Sequence, residues 1–189
     1  MNTADLTMPN EQSLAQQAQA DPAAFARLYD HYLRRVYNYM RYRLNDAQMA
    51  DDLTAQVFHR AWEKRHNHDP EKAPFGAWLF GIARHVINDH YRRQKRFGWL
   101  SLEVLRERFS LNPPPEEAFI QSEMQTLVLQ AVARLNERER EIVALKFGGN
   151  LNNVQIAELT GLTASNVGVI LYRAMKQLKA ALETQGVSK

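Results

Sequence analysis

The sequence predicts an all-α protein: two small helical domains joined by a flexible proline-rich linker, with a helix-turn-helix near the C-terminus. Three observations predict this. Apolar residues recur at three-and-four spacing in nearly every segment, and no segment alternates as a strand does. Leu111-Asn-Pro-Pro-Pro-Glu-Glu cannot continue a helix, because the prolines lack amide donors and restrict the residues before them. Residues 153–175 fill every structural position of a helix-turn-helix.

The elements follow in order. Asp21 is an N-cap and Pro22 sits in the first turn of a helix carrying Phe25, Leu28, Tyr29, Tyr32, Val36 and Met40 on one stripe. Asp46 caps the next helix, whose stripe is Leu53, Val57, Phe58, Ala61 and Trp62. A polar loop spans 65–73. Pro74 then opens a long helix with Phe75, Trp78, Leu79, Ile82, Ala83 and Val86 inward. A short helix is expected at 102–109, inside the linker. The second domain begins with a helix over 116–135 and a short one over 137–147. In the helix-turn-helix, Ile156, Ala157 and Thr160 share a face, and small Ala157 lets the helices cross closely. Gly161 supplies a residue tolerant of positive φ at the turn. Leu162, Val167, Ile170 and Leu171 complete its core, and the last helix runs to about 183. The expected boundaries are 1–97, 98–121 and 122–189.

Composition narrows the function. There is no cysteine, so disulfides, zinc-thiolate sites and thiol catalysis are excluded. The N-terminus has no signal-peptide pattern, and no run approaches about 18 apolar residues. A cytoplasmic protein without membrane insertion is expected. The histidines do not fall into a metal-ligand spacing, and no nucleophile grouping, paired-carboxylate motif or phosphate loop is visible. No metal, no cofactor and no enzymatic activity are expected.

Charge is distributed unevenly. The net charge is only +3. Arg84, Arg92, Arg93, Lys95 and Arg96 nevertheless cluster, opposed by Asp89 alone, while Asp46, Asp51, Asp52 and Glu63 make an earlier helix acidic. Two oppositely charged elements suggest two different partners. The outward face of the 74–96 helix presents Arg84, His85, Asn88, Asp89, Arg92, Arg93 and Arg96. Arginine forks and an amide suit phosphates and base edges, and Trp78, Tyr91 and Phe97 are aromatic enough to stack on unpaired bases. The plain alternative is a solvated basic face favoured by the helix dipole. The second helix of the helix-turn-helix presents Ser165, Asn166, Val169, Tyr172, Arg173 and Lys176. Such a helix enters a DNA major groove. Asp51, Asp52, Gln56 and Arg60 form the polar side of the acidic helix, suited to a basic protein surface.

Separated segments resemble one family. Residues 25–32, Ala50-Asp-Asp-Leu and Val57-Phe-His-Arg-Ala-Trp62 resemble the first helices of the extracytoplasmic-function sigma factors of bacterial RNA polymerase. Phe75-Gly-Ala-Trp-Leu-Phe-Gly-Ile-Ala-Arg84 with Asn88-Asp-His-Tyr-Arg-Arg93 is similar to their promoter-melting helix. Leu135-Asn-Glu-Arg-Glu-Arg-Glu-Ile-Val, Ile156-Ala-Glu-Leu, Gly161, Val167 and Leu171-Tyr-Arg-Ala174 are similar to their C-terminal domain. The resemblance implies that the 51–62 helix docks on the clamp helices of core RNA polymerase. It implies that the 65–73 loop and the 85–96 face capture unpaired bases of the promoter minus-ten element. The helix-turn-helix would read the minus-thirty-five element as duplex, and an anti-sigma factor would hold the protein in reserve. The chain departs from the family pattern at Ala55-Gln56, where Gln-Glu is usual, and at Gly168, Val169 and Ile170, where a basic residue, a serine and an arginine are usual.

Two rivals have different signatures. A stand-alone helix-turn-helix regulator with a helical sensor domain has no need of a basic, aromatic helix in its first domain. A helical metal-dependent enzyme would need the histidines to converge. The helix-turn-helix separates the first rival: Gly168 and Val169 offer no side-chain hydrogen bonds, and few phosphate contacts are apparent. The free protein is therefore expected to bind duplex promoter DNA weakly, gaining specificity only with core polymerase. Titration at several salt concentrations checks this, since each duplex phosphate contact adds a log-log slope of about −0.9. Tight, sequence-specific binding by the free chain at physiological salt would favour the stand-alone regulator.

Overall fold

The computed structural model describes residues 10–44, 46–97 and 116–184, and every regular element among them is helical. The helices are α1 (Glu11–Gln17), α2 (Pro22–Arg43), α3 (Ala47–Lys64), α4 (Phe75–Phe97), α5 (Glu116–Ala133), α6 (Glu137–Val143), α7 (Asn153–Thr160) and α8 (Ala164–Thr184). A single 3-10 turn, Arg65–Asn67, follows α3, and a π turn, Ala144–Gly148, follows α6. The proline-rich stretch and the short helix expected at 102–109 lie outside the described residues.

Local chemistry starts these helices where the sequence indicates. Asp21 accepts from the Ala23 amide at 2.8 Å and Asp46 from the Met49 amide at 2.9 Å. Asn136 does the same for Glu139 at 2.9 Å. Asn152 and Gln155 form a reciprocal capping box at the start of α7. Each such cap contributes about 1 kcal/mol by satisfying amides that have no partner within the helix. Gly161 ends α7 at φ 69°, the left-handed conformation anticipated for the turn.

Helix α1 is not anticipated by the sequence reading. It is short, and Asn10 before it makes no side-chain cap. Its only apolar signal is Leu14, Ala15 and Ala18, all buried.

The first unit packs around α2. Leu28, Tyr32, Val36, Tyr39 and Met40 are fully enclosed against Val57 and Phe58 of α3 and Leu79, Phe80 and Ile87 of α4. The second unit has a smaller core of Ala131, Val132, Leu135, Val143, Ala174 and Leu178. The two units do not stand apart. Ile142, Leu145, Leu151, Ile156 and Val167 of the second unit join the core of the first.

Glycine makes this junction possible. A Cβ on Gly148 would lie 2.8 Å from the Tyr39 Cα, and one on Gly149 would lie 2.8 Å from the Phe80 ring. Polar ties ring the contact. Arg35 Nε donates to the Gly149 carbonyl at 3.0 Å, and Arg43 donates to the Glu137 carbonyl at 3.2 Å.

Gly148→Val is expected to destabilise the chain by about 1–3 kcal/mol, the range for overpacking, and to enlarge it as the second unit is levered off α2. Thermal unfolding and small-angle scattering check both effects. Gly168→Ala serves as contrast. Its new methyl meets nothing nearer than Asn153 Nδ2 at 3.8 Å. It should raise stability by up to about 1 kcal/mol through helix propensity.

Candidate nucleic-acid and polymerase interfaces

Helix α4 organises the site. Phe75, Leu79, Phe80, Ala83, Val86 and Ile87 are buried, so its polar residues emerge along two ridges. Arg84, Asn88 and Arg92 turn toward the second unit. Arg84 Nε donates to Glu141 at 2.8 Å, and its Nη1 bonds the Leu159 carbonyl of α7. Asn88 and Arg92 line a cleft of about 420 Å³ whose far wall is Glu137, Arg138 and Glu141. Asp89, His90 and Arg93 turn toward α3.

There the structure joins two predicted groups. Asp52, Gln56 and Arg60 of the acidic helix share a cleft of about 110 Å³ with Asp89, His90 and Arg93. Asp89 accepts from Arg60 at 3.2 Å and also binds Arg92. Arg92 first, then Arg60, hold its carboxyl below the usual carboxylate range. The single acid of the basic cluster therefore bridges the expected polymerase face to the expected DNA face. Asp51, Asp52 and Gln56 are exposed, as are His85, Arg93 and Arg96.

The helix-turn-helix residues form a separate surface. Ser165, Asn166, Val169, Tyr172, Arg173 and Lys176 are all exposed on α8, and Tyr172 is 74% exposed. Thr163 Oγ1 accepts from the Asn166 amide at 3.1 Å and closes the first turn of this helix.

The 65–73 loop is more ordered by packing than its polarity suggests. The Arg65 guanidinium lies 3.7 Å over the Trp62 ring. His68 is only 4% exposed, edge-on to Phe75 and beside Trp78. Its Nε2 meets the Ala73 carbonyl at 2.9 Å. A carbonyl only accepts, so Nε2 carries the proton, and the buried Nδ1 has no partner. Sequence reading leaves His68 among the histidines and Trp78 among the possible base platforms; here each packs against the other. Among the described residues no three His, Asp or Glu side chains converge as metal ligands would. No single described helix is long and apolar enough to cross a membrane.

Comparison with known proteins agrees with this architecture. Residues 28–97 match the family model Sigma-70 region 2, and residues 125–178 match Sigma-70, region 4. The chain is 32% identical over 180 residues to the ECF RNA polymerase sigma factor BldN of Streptomyces coelicolor, covering 95% of this chain and 68% of that one. It is 27% identical over 161 residues to SigM of Bacillus subtilis, covering 85% and 96%. Among solved structures, CnrH in complex with the cytosolic domain of CnrY superposes with a TM-score of 0.70 at 22% identity, covering 93% of this chain and 99% of that one. RpoE of Bartonella quintana, in complex with the anti-sigma factor NepR, gives 0.70 at 19% identity, covering 87% and 98%. The chain belongs to the extracytoplasmic-function sigma factors of RNA polymerase. It is a transcription initiation factor that binds core RNA polymerase and promoter DNA.

The buried imidazole makes stability pH-dependent. Burial holds the His68 pKa below its ordinary value, outweighing the Ala73 hydrogen bond and the charges of Glu11 and Asp69. The unfolded chain therefore binds this proton more readily than the folded one. Stability is retained above the unfolded value of about 6.5 and falls as pH drops through it. Melting midpoints measured at about pH 7.5 and 5.5 should fall with acid. His68→Gln, which keeps a donor for Ala73, should flatten the trend. The residue of the effect is expected from His90, lowered by burial and by Arg93.

Proposed function

We propose that the first unit, 1–97, docks on core polymerase and captures minus-ten DNA, while the second, 122–189, reads the minus-thirty-five duplex. Asp51, Asp52, Gln56 and Arg60 are the polymerase contacts. His85, Asn88, Asp89, Arg92, Arg93 and Arg96, with the 65–73 loop, take the single strand. Ser165, Asn166, Val169, Tyr172, Arg173 and Lys176 take the duplex, with Tyr172 as the central exposed side chain. Arg84 belongs with the minus-ten group only once α6 and α7 have moved off α4, because both its bonded partners lie on the second unit.

The carrying observation is the Arg60–Asp89 bridge. It sets the polymerase face and the basic face of α4 side by side, so docking of α3 brings α4 to the strand it is to hold. The chemistry of RNA synthesis remains with the polymerase, and the protein acts in the cytoplasm where polymerase and DNA meet. An anti-sigma factor is part of this reading. It is supported by the complex of Bartonella quintana RpoE with NepR.

Separate variants should fail separately. Asp51→Lys with Asp52→Lys should abolish co-purification with core polymerase while helical content is kept. Some helix-terminus stabilisation, about 0.3–1 kcal/mol per charge, is lost with it, so melting is measured alongside. Asn88→Ala should still bind core but lose promoter opening and single-strand capture, and Tyr172→Ala should weaken upstream duplex recognition. Each lost base contact is expected to cost about 1–3 kcal/mol. Open-complex footprinting on normal and pre-melted templates reads the difference. A folded charge-reversed protein with unchanged polymerase affinity sinks the docking assignment.

A further inference from the structure

The loop proposed to receive a minus-ten base is tied down by a segment that lies outside the matched Sigma-70 region 2, which begins at residue 28. Four contacts run from residues 11–19 to this loop and its exit. Arg65 Nε donates to the Gln19 carbonyl at 3.2 Å. The Gln19 side chain donates in return to the His68 carbonyl at 2.8 Å. Gln12 Nε2 donates to Glu71 at 2.8 Å. At the exit, Glu11 accepts from the Gly76 amide at 2.9 Å.

The last contact is built with particular care. Glu11 is 8% exposed, and a carboxylate so placed needs partners. It has two, the Gly76 amide at the start of α4 and the Tyr32 hydroxyl, which donates at 2.6 Å. The amides of a first helical turn have no partner within the helix, and the dipole there favours negative charge. Burial, then the Glu11 bond, keeps the Tyr32 hydroxyl protonated and donating. No side chain fits at position 76, since a Cβ would lie 2.7 Å from the Tyr32 hydroxyl. Glu11 therefore pins the junction where the loop becomes the DNA-handling helix.

Otherwise the loop is held by the packing of His68 against Phe75 and Trp78 and of Arg65 over Trp62. Its one regular element is the 3-10 turn Arg65–Asn67, and its remaining internal bonds gather on Asp69 and on His68 with Ala73. His66 and Asn67 stand exposed at its crest. Leu14, Ala15 and Ala18 bury the other side of α1 in the first unit's core, so the ties are anchored to something rigid. The Gln12 and Gln19 bonds are exposed or partly exposed and contribute little to folding, yet they tie the Glu71 side chain and the His68 backbone to residues 11–19.

We propose that residues 11–19 are a positioning element of the minus-ten reader. Glu11, Gln12 and Gln19 hold the 65–73 loop and its exit in the shape that receives an unpaired base, and do not touch DNA themselves. This rests on the reading of that loop as a minus-ten contact. The same contacts make α1 part of the specificity apparatus.

The test uses full-length protein in holoenzyme, with single-stranded minus-ten DNA from a promoter mapped by that holoenzyme and its single-base variants. Gln12→Ala with Gln19→Ala is expected to weaken binding of the mapped strand about tenfold, the scale of one base contact. Discrimination among base variants should fall with it, while melting midpoint and core-polymerase affinity stay unchanged. Glu11→Ala should lose discrimination more severely and also lower the melting midpoint, because it strands the buried Tyr32 hydroxyl and Gly76 amide, whereas Glu11→Gln, whose amide oxygen still accepts both bonds, should keep discrimination. A purely structural role would move the melting midpoint and leave base discrimination intact. His66→Ala with Asn67→Ala tests the loop itself. If that variant loses discrimination and the glutamine variant does not, the positioning role is overturned. If neither loses it, the loop reading fails and the proposal falls with it. If only the glutamine variant loses it, α1 acts by another route and the proposal is overturned.

Discussion

Where the π turn ends, the backbone at Gly148 comes down on the backbone of α2 at Asn38 and Tyr39, with no room for a side chain between them. Main chain rests on main chain, and the rest of the arrangement follows. The approach carries Leu145 and Ile142 into the first unit's core and brings α7 alongside α4. It also places Glu141 and the Leu159 carbonyl within reach of Arg84. The π turn itself supplies the geometry. One extra residue in the turn lets the Gly149 amide bond the Ala144 carbonyl at 2.8 Å, and the chain then reverses through Asn150 at φ 54°.

This junction changes what the basic helix offers. As a sequence, α4 presents a row of equivalent arginines. In the fold they differ. Arg84 is turned to the second unit, Arg92 bonds Asp89 while remaining exposed, and Arg93 and Arg96 are exposed. Asp89 is the pivot between them, because it accepts from α3 as well as from its own helix. On the proposed division of roles, part of the single-strand surface faces the half proposed to read duplex. Separation of the units must break the partly buried Arg84–Glu141 pair and expose Tyr39 and Phe80, so it is opposed chiefly by apolar burial.

Much of this was legible in the sequence. The caps at Asp21 and Asp46 and the turn at Gly161 are local devices, each set by a residue and its neighbours two or three positions away; the caps at Asn136 and Asn152 are as local and were found only in the structure. The apolar stripes of α2, α3 and α4 are readable because 3.6-residue periodicity survives wherever a helix buries one face. The exposure of the proposed recognition residues on α8 follows from the same periodicity. Helix α1 escaped because seven residues carry too few turns for a period to show. His68 escaped for another reason. A buried histidine and an exposed one look alike until the aromatic rings of Phe75 and Trp78 close around it.

The sequence by itself determined the longer helices, most of their starts and their faces, and through motif order the family, since these depend on residues close together in the chain. The tertiary structure alone decided how the two units meet, that Asp89 joins α3 to α4, and that Glu11, Gln12 and Gln19 bond a loop and its exit 49 to 65 residues away. Those contacts depend on where rigid helices end and how closely backbones approach. Pairings across that distance leave no periodicity along the chain, so only the packed structure reveals them.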